Sequence, residues 1–140
     1  MLSRMPFDTV EREDTPVIYV AWPGKPEDIP SAAQRAWQDL EALVPIQGRK
    51  AYGYWYPPAM EYRACFSLRE GDEPEALGLR HTVLPGGRYR RARLKGEDVY
   101  RRIGETFDAL TEGAAVDERR PWLELYRRHD EVDVLIPIQD

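Results

Sequence analysis

The chain has 140 residues, of which 42% are hydrophobic, and 20 basic against 25 acidic side chains give a formal net charge of −5. That length sustains one core without disulfides or metal, so a single domain over 1–140 is expected, and the composition is too apolar for disorder. The longest apolar runs, such as Val17–Trp22, fall far short of the roughly 20 residues a bilayer requires.

Met1–Pro6 lacks a hydrophobic stretch of signal-peptide length, and the lone Cys65 excludes a disulfide framework, so a cytoplasmic setting is expected. Net acidity argues against nucleic acid as a bulk partner. The basic residues between Arg88 and Arg102 are the local exception, read as a solvated face balanced by acids elsewhere.

After a polar lead, Val17–Trp22 reads as a short buried strand ended by Pro23-Gly24. Asp28 or Ser31 can cap the helix that follows, whose apolar stripe runs through Ile29, Ala33, Ala36, Trp37 and Leu40. Lys50–Tyr56, rich in aromatics with a period of two, is followed by Pro57-Pro58 and Glu61–Leu68, which predicts a hairpin with a proline turn. A long strand is predicted from Leu79 to Leu94, bent at Pro85-Gly86-Gly87. A second helix begins near Glu97-Asp98 with Val99, Ile103, Phe107 and Leu110 as its stripe, and Trp122–Tyr126 with Val132–Ile138 makes a second hairpin.

This is strand–helix–strand–strand, twice. Laying 51–68 over 121–138 needs no gap and superposes Ala64 on Val134, Cys65 on Leu135 and Phe66 on Ile136. The expected fold is therefore α+β: a duplicated βαββ unit (halves about 15–70 and 78–139) with pseudo-twofold symmetry. Its antiparallel sheet would carry two helices on one face, with a ligand groove between them.

The same overlay puts Tyr54 on Glu124. Alternation places Trp122, Glu124 and Tyr126 on one face of their strand, and Tyr52, Tyr54 and Tyr56 on one face of theirs. If the axis brings the strands together, five rings surround one carboxylate, the arrangement that recognises a flat lipophilic cation. Trp22, Trp37 and Phe107 are further wall candidates, although the last two also suit a helix core. The competing reading makes Glu124 an edge-strand acid that reaches solvent or pairs with a nearby arginine such as Arg119 or Arg127.

The duplicated order, Leu84-Pro85-Gly86-Gly87-Arg88-Tyr89 leading to Lys95-Gly96, and Arg120-Pro121-Trp122-Leu123-Glu124-Leu125-Tyr126 together resemble the GyrI-like small-molecule-binding domain, the effector-binding half of several multidrug-responsive transcription regulators. The resemblance spans about 17–139 and is strongest in the second half. It implies a pocket with an acid at its base for cationic or aromatic drugs, with Glu124 as that acid and Tyr126 as the aromatic two residues later. A stand-alone form without direct DNA binding is expected, taking a small-molecule ligand and using no cofactor, no metal and no membrane. Exposed aromatic strands leave room for a homodimer.

Two alternatives follow from the resemblance. A hydrolase opening strained, electrophilic rings of cyclopropanoid natural products would use Glu124 to activate water, with Tyr54 or Tyr126 donating to the developing oxyanion. A topoisomerase-inhibitor-like protein contact would need an acidic, DNA-mimicking surface. His81 and His129 lie far apart in sequence, and Cys65 reads as a buried hydrophobe, so neither metal nor thiol chemistry has a focus.

Overall fold

The computed structural model describes residues 6–139; the segment read for a signal peptide lies almost entirely outside the described residues. Its elements are β1 (Asp8–Arg12), β2 (Thr15–Pro23), α1 (Ile29–Leu43), β3 (Ala51–Tyr56), β4 (Glu61–Ser67), β5 (Arg80–Leu84), β6 (Gly87–Lys95), α2 (Val99–Thr111), β7 (Trp122–Arg128) and β8 (Glu131–Pro137). All strands join one antiparallel sheet in the order β1-β6-β8-β7-β3-β4-β2-β5, which puts β7 and β3 at its centre.

The polar lead contains a strand. β1 is mostly exposed and charged, so it lacks the alternation that marks a half-buried strand, and it is held to β6 by Asp8–Arg91 (2.6 Å) and Glu11–Arg88 (3.2 Å). The predicted long strand is also divided, with β5 on one edge of the sheet and β6 beside the other. Its register nevertheless runs on unbroken: Asp8↔Arg91 to Arg12↔Gly87 is continued by Thr15↔Leu84 to Tyr19↔Arg80. Two long strands therefore lie against each other across both edges and curl the sheet into a half-barrel.

Gly86 makes their crossing feasible, because a Cβ there would fall 2.7 Å from the Glu13 carbonyl carbon and 2.8 Å from the Asp14 nitrogen. Each half thus gains an opening strand, and the repeat is β-β-α-β-β rather than βαββ alone.

Both helices cover one face. α1 buries Ala32, Ala36 and Leu40 against Ile18, Ala64 and Phe66, while α2 buries Val99, Phe107 and Leu110 against Ala92, Val134 and Ile136. Each large side chain so buried contributes roughly 1.5–3 kcal/mol. Asp28 and Asp98 occupy the N-cap positions, but neither side chain makes a capping hydrogen bond; Asp98 instead pairs with Arg102 at 3.2 Å. The helix-free face has its own core of Val17, Tyr52, Cys65, Tyr89, Leu123 and Leu135.

Candidate functional site

β3 and β7 run side by side with Ala51↔Tyr126, Gly53↔Glu124 and Trp55↔Trp122 as direct partners. Directly opposed residues of an antiparallel pair share a face, and these pairs point toward the helices. Tyr52, Tyr54 and Tyr56 therefore point the other way. Tyr52 and Tyr54 are buried in the helix-free core and Tyr56 packs against it, with the Arg63 guanidinium held between the Tyr19 and Tyr54 rings at 4.5 Å from each.

The expectation that these three tyrosines surround Glu124 is corrected, and with it the role of Tyr54 as an oxyanion donor. The cause is a one-residue slip. Cys65 and Leu135 are equivalent, and their cross-strand partners are Tyr52 and Leu123, so Tyr52 superposes on Leu123 and Gly53, not Tyr54, on Glu124. The two hairpins differ by one residue between these positions, and a slip of one residue exchanges the faces of a strand. The pseudo-axis passes between Gly53 and Glu124, which are at once symmetry mates and ladder partners.

That glycine gives the carboxylate its seat. A Cβ on Gly53 would lie 2.9 Å from Glu124 Cδ and 2.5 Å from the Tyr62 hydroxyl. Over the space left free, Tyr126 donates its hydroxyl to Glu124 Oε1 at 2.5 Å and Tyr62 donates to the same oxygen at 2.8 Å. Tyr62 in turn accepts from Trp37 Nε1 at 2.9 Å.

Glu124 is 9% exposed, and burial pushes its carboxyl above the ordinary value, against the lowering effect of the two tyrosine hydrogen bonds. Burial and the neighbouring carboxylate push both tyrosine hydroxyls well up, so they remain donors. Among the described residues no cation pairs with Glu124: Arg119 is committed to Asp117 and Arg127 to Glu131. Oε2 accepts no hydrogen bond from the described residues.

Above Glu124, a cavity of about 1300 Å³ opens between the helices and the sheet. Of the residues singled out in the sequence, Glu124, Trp122, Tyr126, Trp37 and Phe107 line it together. Trp22 does not line it. It shares the helix-covered face, but its Nε1 donates to Asp39 (2.8 Å) and the Arg35 guanidinium covers its ring at 5.2 Å.

Four aromatic wall residues escaped the sequence reading: Trp55, Tyr62, Tyr100 and Phe66. The ladder pair Trp55↔Tyr62 puts the first two on the cavity side. Tyr100 heads the row Tyr100, Ile103, Gly104, Phe107, whose helical spacing was the available signal. The rings form two groups. Phe107 packs on Trp122 (centroids 5.3 Å), whereas Trp37 meets Tyr126 edge-on (5.4 Å) and Tyr100 stacks on it (6.1 Å). The basic stripe is largely neutralised by Asp8, Glu11, Asp98, Glu131 and Asp133.

No helix among the described residues is long and apolar enough to cross a membrane. No family model and no curated protein sequence matches the chain. Solved structures do. An integron cassette protein from the mobile metagenome of Vibrio cholerae superposes with a TM-score of 0.72 at 17% identity, covering 95% of each chain. The structure of SAV2435 bound to tetraphenylphosphonium gives 0.64 at 13% identity, covering 96% of this chain and 94% of that one. A hydrolase from Listeria innocua gives 0.55 at 12% identity, covering 99% and 94%. At these identities the likeness establishes the fold alone: a curled antiparallel sheet with two helices on one face, built from a duplicated unit.

Proposed function

We propose that the chain is a binding module for amphipathic, cationic aromatic small molecules, with Glu124 as the charge-reading residue. One observation carries this reading: a carboxylate enclosed by aromatic rings that, among the described residues, is hydrogen-bonded only by hydroxyls and has no cation partner. Keeping such a group charged is unfavourable until an opposite charge arrives. A lipophilic cation supplies that charge, restores full ionisation and gains ring-face contacts from Trp37, Trp122 and Tyr126. The fold-level neighbour whose structure holds tetraphenylphosphonium supports the same ligand class.

Titrating tetraphenylphosphonium and neutral triphenylphosphine oxide against the protein, followed by tryptophan fluorescence, tests the reading. The cation is expected to bind about tenfold or more tightly than the neutral compound, and Glu124→Gln to erase that preference. Equal affinities, or an unchanged preference in the variant, would reject it.

Hydrolysis of an electrophilic ring is the second reading. It is supported by Glu124 Oε2, a carboxylate oxygen that accepts no hydrogen bond from the described residues and could take a proton from water, and by the fold-level neighbour described as a hydrolase. Ring-opened product from an activated cyclopropane, lost in Glu124→Gln, would put this reading first.

A further inference from the structure

Resting on that cation-binding reading, we propose that the ligands this cavity prefers are elongated: one cationic centre with an aromatic group on each side. Trp122, Glu124 and Tyr126 alternate along one strand and face the same cavity. A strand advances about 3.4 Å per residue, so each ring leaves the strand roughly 7 Å from the acid, on opposite sides of it.

Each of these rings anchors a separate group. At one end Trp122 joins Phe107 from the C-terminal half of α2 and Trp55 from across the ladder. At the other, Tyr126 joins Trp37 from α1 and Tyr100 from the first turn of α2. The two groups are held apart because Tyr100 and Phe107 leave α2 two turns, about 10 Å, from each other and Glu124 lies between Trp122 and Tyr126 on β7. A compact cation centred on Glu124 engages one group well, whereas an elongated one engages both.

Two further observations point the same way. A volume of about 1300 Å³ exceeds the roughly 300–1000 Å³ of sites built for one drug-sized molecule. The hydroxyl protons of Tyr62 and Tyr126 and the N–H of Trp37 are all spent on internal bonds. The middle of the cavity therefore offers Glu124 Oε2 and ring faces, and no spare donor from these three side chains for a polar ligand core.

The test uses dimethylammonium salts bearing two phenylalkyl arms of one to four methylenes, their one-armed trimethylammonium counterparts, and a neutral one-armed analogue. Affinities are measured calorimetrically on the wild-type protein and on Tyr100→Ala, a residue 54% exposed whose loss leaves the core intact. The second arm is expected to strengthen binding roughly three- to tenfold beyond its gain in octanol partitioning, with an optimum at intermediate arm length. Tyr100→Ala is expected to remove most of that gain.

A gain that only tracks partitioning, that rises evenly with arm length, or that survives Tyr100→Ala overturns the proposal. If the one-armed cation still outbinds its neutral analogue and Glu124→Gln abolishes the difference, the cation site stands and only the elongated ligand falls. Failure of any cation to outbind its neutral analogue overturns both.

Discussion

Two buried carboxylates lie on neighbouring strands and face opposite sides of the sheet. Asp133, 1% exposed on the helix-free side, is gripped by Arg93 at 2.7 and 3.1 Å, with Arg127 at 3.7 Å and Arg91 at 4.0 Å. Glu124, 9% exposed on the helix side, receives two tyrosine hydrogen bonds and no ion pair among the described residues. Burial alone therefore does not mark a functional acid. Asp133 has its counter-charges built in and ties three strands together, while Glu124 has an open cavity where a counter-charge would sit.

The same contrast runs through the duplicated scaffold: equivalent backbone positions carry Gly53 and Glu124. A symmetric fold has placed one charge, not two, on its axis.

Removing the charge of Asp133 tests the structural half of this contrast. Asp133→Asn leaves Arg91, Arg93 and Arg127 crowded together and is expected to destabilise by about 2–3 kcal/mol in denaturant unfolding. This is discounted from the usual buried-pair penalty because the arginines reach solvent. A stability equal to wild type would show that the arginines are not held by that acid.

Gly53→Ala tests the seat of the other acid. Gly53 is outside the left-handed region, so the backbone accepts alanine and the effect is steric, on Glu124 and Tyr62. Overpacking of this kind costs about 1–3 kcal/mol, and tetraphenylphosphonium affinity is expected to fall with it. Adding Tyr62→Phe, which removes the hydroxyl nearest the new methyl, should recover part of the stability. No recovery would place the clash on Glu124 Oε1, the nearer of the two oxygens, rather than on Tyr62.

The smallest effect is the dependence on pH. Because burial raises the Glu124 carboxyl, the folded chain holds this proton more tightly than the unfolded chain. The resulting stabilisation is complete below the ordinary carboxylate value and is lost as pH rises through the raised one. Glu124→Gln should therefore gain on wild type in thermal unfolding as pH climbs across that window. Over the same window, wild-type affinity for tetraphenylphosphonium should strengthen. Parallel pH curves for the two proteins would show that Glu124 does not titrate in an enclosed site.

Much of the fold was legible because its signals are local. The 3.6-residue stripe from Ile29 to Leu40, the largely apolar run Val132–Ile138 and the proline turn after Tyr56 are each carried by one contiguous segment. β1 was not legible, since a charged strand on a closing edge is stabilised by its partner rather than by an apolar face of its own.

At the site, Glu124, Trp122 and Tyr126 could be read together because alternation within one strand needs no partner. Tyr52, Tyr54 and Tyr56 were misplaced because their face depends on register between strands, which a single residue reverses. Tyr62 and Trp55 then fell out of view for the same reason.

The amino-acid sequence by itself determined both helices, the two hairpins, their duplication and the acid that departs from the symmetry, since periodicity and residue type are carried by contiguous segments. Only the tertiary structure decided which rings share a cavity with that acid, that Gly53 makes room for it and that its hydrogen bonds come from Tyr62 and Tyr126. Those outcomes depend on how segments as far apart as Tyr62 and Glu124 are set against each other, and cross-strand register is a property of pairs of strands rather than of any one of them.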